Sequence, residues 1–464
     1  MSTQEICFLS AVELAQAIRS RKLSAVEVVR AHLAQIERAN PKVNAIVTLT
    51  AEQALKEAQT ADDQLKRGDA VGPLHGLPVG YKDLTETKGI RTTFGSPIFK
   101  DNVPTHDALV VERMKRAGAI TVGKTNTPEF GAGSQTFNKV FGETANPYDL
   151  SKTCGGSSGG GAVALACGMI PLADGSDLGA SLRNPASFCN VVGMRPSIGR
   201  VPSYPAKVAW NTLGVPGPMG RTVQDVALQM SVMAGFDSRA PMSIAEGGSQ
   251  FAAPLGRDFK GTRIAWSIDL GGLPFEKQVT NAVAPQRNTL ESIGCIVDDA
   301  TPDFTDADEI FKVFRALEFE AKHGATLDKH RDQMKDTVIW NIEEGRKLTG
   351  SQIAAAELKR AALYQRVHRF MEKYEFLLLP TMQVAPFDIK KPYIDAINGI
   401  KLPTYIDWMK SCYYITVTGH PAISVPCGFT PEGLPVGLQI VGRHQDDWGV
   451  LQLGYAFEQA TKKR

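Results

Sequence analysis

The chain has 464 residues, of which 43% are hydrophobic and 22% are charged, a composition typical of a globular protein with a large core. Its 51 basic and 49 acidic residues leave a net charge of +2, so overall charge gives no strong attraction to nucleic acid or to a membrane surface. The seven cysteines are odd in number and lack CxxC spacing, which argues against a disulfide framework and against a metal site.

The N-terminal region predicts packing helices over about 8–68 and no targeting segment. It lacks a basic stretch followed by an apolar run, and the longest weakly polar run, residues 161–173, is too short to span a bilayer. We therefore expect a soluble, cytoplasmic protein. Residues 10–13 and 24–27 each fit a capping box, and Asn40-Pro41 predicts the end of the second helix. A third, alanine-rich helix is predicted over about 51–66.

Lys82 lies at the end of a predicted strand. The sequence GPLHGLPVGYKD, residues 72–83, predicts a turn followed by a short apolar strand. A lysine at that place is either buried, which is rare and energetically costly, or extended along the surface with its amine in water. The residues alone leave both interpretations open.

Residues 118–125, GAITVGKT, match the GxxxxGK[ST] pattern of a phosphate-binding P-loop. A P-loop follows a strand and opens a helix, whereas here a helix is predicted over 107–118 and a strand over 119–122. Residues 126–128, Asn-Thr-Pro, also interrupt any helix that would follow. A P-loop ATPase, with Lys124 on the phosphates, is therefore a remote alternative.

Two glycine-rich turns that carry serines stand in the middle of the chain. Residues 155–161 read GGSSGGG, residues 175–181 read GSDLGAS, and the apolar segment 162–173 lies between them. Because glycine allows close approach of the backbone, two such turns can bring hydroxyls and free N–H groups to one place. Nucleophilic acyl transfer uses that combination, an activated hydroxyl beside donors for a developing oxyanion. The simpler interpretation is two turns around a helix, with serines chosen for small size.

The same stretch matches GxSxG, the nucleophile elbow of α/β-hydrolases, at residues 155–159 and again at 156–160. That motif requires a downstream acid and then a histidine, for which Asp388 and His420 are the nearest sensible pair. Such pairs arise by chance in a long chain, and both residues also fit surface or structural roles.

The second half of the chain alternates strand-like and helix-like segments. Strands are predicted over 262–268, 295–297, 376–380, 421–426 and 434–441, and helices over 307–323, 352–374 and 448–461. This alternation predicts an α/β fold.

Seven motifs spread over almost the entire chain resemble the amidase signature family of serine hydrolases. They are GLPVGYKD (76–83), VGKTNTPEF (122–130), GETANPYD (142–149), GGSSGG (155–160), GSDLGASLRNPAS (175–187), HPAISVP (420–426) and GLPVGLQIVG (433–442). The resemblance implies a large mixed β-sheet covered by helices on both faces, in a single amidase domain over 1–464 with a variable substrate-pocket region at about 300–415. It implies no cofactor and no metal.

The resemblance also implies a Ser–Ser–Lys triad. By motif, Lys82 corresponds to the base, Ser157 to the bridging serine and Ser181 to the nucleophile. A cis peptide bond is implied between Gly156 and Ser157. Because the base must be neutral, Lys82 should be buried, where loss of hydration lowers the pKa of its ammonium group.

Backbone N–H groups before the nucleophile are expected to bind the oxyanion, at Leu178, Gly179, Ala180 and Ser181. A second set of residues is expected to support this loop: Ser158, Ser176, Asp177 and Arg183. Relatives commonly carry Gly-Gly-Ser at the nucleophile, whereas this chain carries Ala180 at the second position. Its methyl group either narrows the acyl pocket or points into the core.

The predicted activity is hydrolysis of the C–N bond of a linear carboxamide through an acyl-enzyme. The predicted partner is a small-molecule amide, with no nucleic acid and no membrane, and a homodimer is left open. The alternative on the same fold is the amide-hydrolysing A subunit of a tRNA-dependent amidotransferase, although the segment after Glu129, FGAGSQTFN, is more similar to stand-alone amidases.

The substrate itself is not fixed by the shared motifs. Residues 132–136 and 311–411 are expected to shape the acyl pocket. Four aromatic residues in the second region either line an apolar pocket or belong to the core: Tyr405, Trp408, Tyr413 and Tyr414.

Overall fold

An eleven-stranded sheet runs through the computed structural model, which describes residues 1–462. The strands are β1 (Ile46–Leu49), β2 (Pro78–Lys82), β3 (Ile120–Thr125), β4 (Phe137–Asn138), β5 (Gly142–Glu143), β6 (Leu172–Asp177), β7 (Val192–Arg195), β8 (Val215–Gly220), β9 (Arg263–Trp266), β10 (Ile296–Asp299), β11 (Phe376–Pro380), β12 (Ala396–Ile397), β13 (Ile400–Lys401), β14 (Ala422–Phe429) and β15 (Pro435–Gly442). The order across the large sheet is β1-β3-β2-β6-β8-β7-β14-β15-β11-β9-β10, and β4–β5 and β12–β13 form two small separate ribbons.

The large sheet is mixed. Strand β2 is parallel to both β3 and β6, and β9 is parallel to β10 and β11. The remaining neighbours are antiparallel. The predicted α/β class with a large mixed sheet is therefore confirmed.

The helices are α1 (Thr3–Phe8), α2 (Ala11–Arg19), α3 (Ala25–Val43), α4 (Ala51–Arg67), α5 (Leu109–Arg116), α6 (Gly159–Ala166), α7 (Arg183–Cys189), α8 (Val223–Met233), α9 (Lys277–Val283), α10 (Gln286–Ser292), α11 (Ala307–His330), α12 (Asp336–Lys347), α13 (Gly350–Lys373), α14 (Lys410–Thr418) and α15 (Asp447–Lys462). Short 3₁₀ turns lie at Pro97–Phe99, Glu129–Gly131, Gly248–Ala252, Arg331–Gln333 and Asp407–Met409. Between residues 1 and 462, no helix combines the length and the apolar character needed to cross a membrane.

Both faces of the sheet are covered, as β11 shows. Successive side chains of a strand point to opposite faces. Phe376 and Leu378 belong to one hydrophobic cluster, whereas Leu377 and Leu379 belong to a second cluster. All four side chains are buried, so the strand reads as a continuous apolar run rather than an alternating one.

The N-terminal helices begin at the predicted caps but one ends later than predicted. Ser10 and Ser24 both form complete capping boxes. The prediction that Asn40-Pro41 ends the second of these helices is wrong, because α3 continues to Val43 and closes on a left-handed Asn44. A proline in the last turn removes only one backbone hydrogen bond, and the Asn44 N–H still donates to the Asn40 carbonyl at 2.7 Å.

The parallel arrangement of β2 and β6 determines where the polar residues of the signature motifs lie. Both strands end at the same edge of the sheet, Lys82 closing β2 and Asp177 closing β6. Helix α6 begins directly after Ser158, and α7 begins two residues after Ser181. Three parts of the chain, around residues 82, 158 and 177–183, therefore converge at this edge.

Candidate active site

The side chain of Lys82 is fully buried and contacts three serine hydroxyls. Its Nζ donates to Ser157 Oγ at 2.8 Å, to Ser158 Oγ at 2.9 Å and lies 3.2 Å from Ser176 Oγ. Its exposed fraction is 0%. Of the two interpretations that the sequence left open for Lys82, the buried one is correct.

Burial changes the acid–base character of this amine. Loss of hydration lowers the pKa of Lys82 from 10.5 to about 7, although the carboxylates of Asp174 and Asp177 act in the opposite direction. A substantial fraction of the Lys82 amine is therefore neutral near pH 7, which is the state that accepts a proton.

Asp174 fixes the backbone at Lys82 and was not identified from the sequence. Its Oδ1 accepts the Lys82 backbone N–H at 2.6 Å, and its Oδ2 accepts the Thr85 hydroxyl at 2.6 Å. Burial raises the pKa of Asp174. The carboxyl group ties the end of β2 to β6. Because 92 residues separate Asp174 from Lys82, no local pattern could have revealed this contact.

Ser157 and Ser181 line one cavity of about 240 Å³. Their exposed fractions are 3% and 8%, so both are almost shielded from solvent. Within residues 1–462 no hydrogen bond joins their two Oγ atoms. The Ser181 carbonyl accepts the backbone N–H of Ser158 at 3.2 Å, which ties the two serine segments together. The peptide bond between Gly156 and Ser157 is cis, as the resemblance implied.

The loop between β6 and α7 presents free backbone donors. None of the hydrogen bonds in the described part of the chain uses the N–H groups of Gly179, Ala180 or Ser181. Leu178, Gly179, Ala180 and Ser181 all line the cavity. An anionic oxygen placed there would meet donors that have no competing acceptor in the described part of the chain.

Arg183 and Asp177 hold this loop from behind. Arg183 donates to both carboxylate oxygens of Asp177, at 2.9 and 3.1 Å, and to the Gly179 carbonyl at 2.9 Å. The Asp177 carboxylate also accepts the Leu182 N–H. Burial alone would raise the pKa of Asp177, but Arg183 and Arg195 outweigh it and hold the pKa at about 2.

The second glycine segment is not a turn throughout, contrary to the prediction. Gly175, Ser176 and Asp177 belong to β6, paired antiparallel with β8, and only residues 178–182 form the connection. Gly175 is closely packed: a Cβ there would lie 2.6 Å from Leu182 Cδ2 and 2.7 Å from Ser158 Oγ, so these side chains would have to move.

Ala180 and the aromatic residues were left open by the sequence. Ala180 is 1% exposed and packs in the second hydrophobic cluster while also lining the cavity, so its methyl group takes up space at the cavity wall. Four aromatic residues belong to that cluster or pack against it and do not line the cavity: Tyr405, Trp408, Tyr413 and Tyr414. Both predicted pocket regions contribute to the wall, through residues 133–134 and through α11 and Met409.

The P-loop and the acid–histidine pair, which the sequence offered as alternatives, do not form sites in the structure. Lys124 lies inside β3 (Ile120–Thr125), fully buried, with Nζ donating to Thr87 Oγ1 at 2.8 Å. Most of the 118–125 segment is therefore strand, and it does not form a phosphate loop. His420 contacts Thr418 Oγ1, and Asp388 accepts the Lys390 N–H, so these two residues do not form an acid–histidine pair. Among residues 1–462, no group of three or more His, Cys, Asp or Glu side chains is arranged to hold a metal ion.

Comparison with known proteins also indicates a hydrolase, and the similarity extends over nearly the whole chain. The family described as Amidase matches residues 27–451. The chain is 36% identical to an acylamidase from Rhodococcus erythropolis, covering 99% of this chain and 96% of that relative. It is 33% identical to the A subunit of glutamyl-tRNA(Gln) amidotransferase from Alkaliphilus metalliredigens, covering 95% and 94%. A bacterial aryl acylamidase of the amidase signature family superposes with a TM-score of 0.91 at 29% identity, covering 98% and 96%.

A deep sheet edge that carries a buried lysine, serine hydroxyls and free N–H donors is the arrangement of a hydrolase acting on acyl groups. The chain belongs to the amidase signature family. It is an amidase that hydrolyses carbon–nitrogen bonds of linear amides, with small molecules as substrates.

Proposed function

We propose that this amidase works through a Ser–Ser–Lys triad in which Lys82 is the base, Ser157 the bridging hydroxyl and Ser181 the nucleophile. The observation that carries the proposal is the 2.8 Å contact between the buried Lys82 Nζ and Ser157 Oγ, in a cavity that Ser181 shares. A histidine-based triad has no comparable support, because His420 contacts Thr418.

Acylation begins with two proton transfers. Neutral Lys82 accepts the proton of Ser157, Ser157 accepts the proton of Ser181, and Ser181 Oγ forms a bond to the amide carbonyl carbon. The carbonyl π electrons move to oxygen. When the tetrahedral intermediate collapses, the C–N bond breaks and the leaving amine takes its proton from Ser157, which is resupplied by the Lys82 ammonium.

Deacylation repeats the sequence with water. Water attacks the ester carbonyl of acylated Ser181 and gives its proton to Ser157, whose own proton passes to neutral Lys82. When the tetrahedral intermediate collapses, the C–O bond to Ser181 breaks, Ser181 Oγ takes a proton from Ser157, and the Lys82 ammonium resupplies Ser157. The products are the free acid and the regenerated triad. In both halves, the N–H groups of Gly179, Ala180 and Ser181 donate to the oxyanion, an effect that typically accounts for about two to three orders of magnitude in rate per donor.

The proposed substrate is a linear carboxamide handled by the chain alone. The similarity to an acylamidase over 99% of this chain supports that choice. A second candidate is the A subunit of a tRNA-dependent amidotransferase, supported by 33% identity over 95% of the chain. Hydrolysis of simple amides by the purified chain supports the first, whereas glutaminase activity that requires an added partner protein supports the second.

The nucleophile can be tested directly with a fluorophosphonate probe, which forms a covalent bond with an activated serine. We expect Ser181→Ala to abolish both labelling and amide hydrolysis. Ser203→Ala is the matched control, since Ser203 also lines the cavity but is exposed and has no contact with Lys82. Labelling that persists in Ser181→Ala, or that is lost in Ser203→Ala, contradicts the assignment.

A further inference from the structure

One face of α11 forms a polar wall of the cavity that holds Ser157 and Ser181. The side chains on that wall recur at helical spacing: Phe311, Arg315, Glu318, Phe319, Lys322 and His323. None of them belongs to a signature motif. The mechanism proposed above uses none of them.

Glu318 is the unusual member of this wall. It is 4% exposed, and its Oε1 accepts a hydrogen bond from Lys322 Nζ. Its Oε2 is buried and has no hydrogen-bond partner among residues 1–462. A buried carboxylate oxygen without a donor is energetically unfavourable and rare in native proteins, so a donor brought by a ligand would be stabilised there.

The charges around Glu318 define the kind of donor. Among residues 1–462, the hydrogen bonds that Arg315 donates go to neutral groups, Asn341 Oδ1 at 2.9 Å and Tyr405 OH at 2.8 Å. Lys322 adds a second positive charge, and burial lowers the pKa of His323 to about 3, so that imidazole is uncharged near neutral pH. The wall therefore has two cations and one carboxylate, an environment that favours a neutral donor over a further cation.

The space beside the wall accommodates a substrate longer than a simple amide. A second cavity of about 500 Å³ adjoins the first, and the lining residues that the two share include Leu84, Phe130, Lys322 and His323. Together they fall in the size range of cavities that enclose small organic ligands.

We propose that Glu318 is a specificity-determining residue whose free carboxylate oxygen accepts a hydrogen bond from a neutral O–H or N–H group of the amide substrate, away from the scissile bond. This inference rests on the proposed function, because it assigns a substrate feature to the same site. It names a substrate class, linear amides that carry a neutral hydrogen-bond donor.

The test compares three series of straight-chain primary amides, from butanamide to heptanamide, that end in a methyl group, a hydroxyl group or a methyl ketone. At the chain length that reaches Glu318, we expect the hydroxyl compound to exceed the ketone in kcat/KM by about tenfold or more, as for a hydrogen bond to a charged acceptor. The ketone can only accept, so it leaves Oε2 unsatisfied.

Glu318→Gln should remove or invert this preference. Because Lys322 donates to Oε1, the amide oxygen of glutamine keeps that position and its NH₂ group replaces Oε2, which turns an acceptor into a donor. The ratio of hydroxyl to ketone substrates should fall to about one or below. Glu320→Gln is the matched control, since Glu320 lies on the same helix, pairs with Arg346 and does not line the cavity, and it should keep the wild-type ratio.

Binding of the same compounds to Ser181→Ala, measured by calorimetry, separates the two proposals. Hydrolysis of plain amides without any hydroxyl preference, or a preference that Glu318→Gln retains, overturns the role of Glu318 and leaves the triad standing. Hydroxyl-selective binding that depends on Glu318, without hydrolysis by the wild type, overturns the triad alone. Unselective binding without hydrolysis overturns both.

Discussion

Lys82 combines a basic side chain with surroundings that disfavour its charged form. Within the described residues, the amine contacts three hydroxyls and no carboxylate oxygen at hydrogen-bond distance. Asp174 accepts the backbone N–H of Lys82 and not its amine. Hydroxyl groups satisfy the donors without a full counter-charge, so burial dominates and the pKa falls to about 7. The residue is thereby suited to gain and lose a proton within one catalytic cycle.

The pH profile of kcat/KM should report this lysine. If neutral Lys82 is the base, activity is low while the amine is protonated, rises about tenfold per pH unit on the acidic side, and levels off above about pH 7. Initial rates on one simple amide, measured from acidic to neutral pH, define the acidic side of this profile. A profile without an acidic limb near that value contradicts the assigned base, and Lys82→Ala should reduce the rate by orders of magnitude at every pH.

The sequence points to some residues of the candidate site and gives no sign of others. Lys82, Ser157 and Ser181 were found through motifs, because each motif places its residue at a defined point of a strand or turn. Asp174 and Glu318 were missed. Their importance depends on contacts or on a missing partner that exist only after distant segments pack together.

The connection between β6 and α7 carries the backbone donors that we propose for the oxyanion. It packs tightly against α11: a Cβ at Gly179 would lie 3.0 Å from Phe311 Cζ. Phe311 cannot easily move, because it is fully buried and stacks on Tyr413 with ring centroids 4.2 Å apart. The position of the β6–α7 connection therefore depends on the position of α11.

We expect Gly179→Ala to reduce kcat/KM by roughly tenfold to a hundredfold, because the added methyl displaces the backbone donors beside Ser181. Gly214→Ala provides the control in the same cavity, since the nearest atom to its added methyl is 3.7 Å away. The measurement is kcat/KM of both variants on one amide, with thermal unfolding to confirm that each variant is folded. Equal effects of the two substitutions would contradict a specific role for the loop.

The starts of helices could be predicted where a local capping motif determines them without a tertiary contact. The capping boxes at Ser10 and Ser24 were predicted, and the same Ser-x-x-Glu pattern at Ser2 begins α1, which was not predicted. Residues 175–177 were taken for a turn because glycine and serine dominate there. Pairing with β8 outweighs that local preference.

The molecule as a whole buries several imidazoles in their neutral form. Loss of hydration lowers the pKa of His32 to about 4 and the pKa values of His323 and His420 to about 3. The unfolded chain binds protons at these residues near pH 6.5. Because the folded values are lower, each histidine contributes stability above about pH 6.5 that is lost progressively as the pH falls below it.

We expect His32→Asn to weaken this acid sensitivity. Between about pH 6.5 and pH 5, the wild type should lose about 2 kcal/mol more of its free energy of unfolding than the variant does. Urea unfolding at several pH values measures the difference. His368→Asn, at an exposed position, should follow the wild type, and parallel curves for wild type and His32→Asn would contradict the prediction.

The α/β class was predictable from the alternation of strand and helix patterns, but the strand order was not. Neighbours such as β2 and β6, or β11 and β9, are separated by long stretches of chain. Their pairing is set by packing on both faces of the sheet rather than by any pattern within one strand.

All three residues of the proposed triad lie before residue 182, yet the guanidinium of Arg183 is anchored much later in the chain, by the Cys412 carbonyl, Thr416 Oγ1 and Gln439 Oε1. A growing polypeptide from which the proposed nucleophile, Ser181, has already emerged thus still lacks these anchors of Arg183. We therefore expect activity to be acquired late in synthesis, and a fragment cut before α14 to carry the proposed triad without being active.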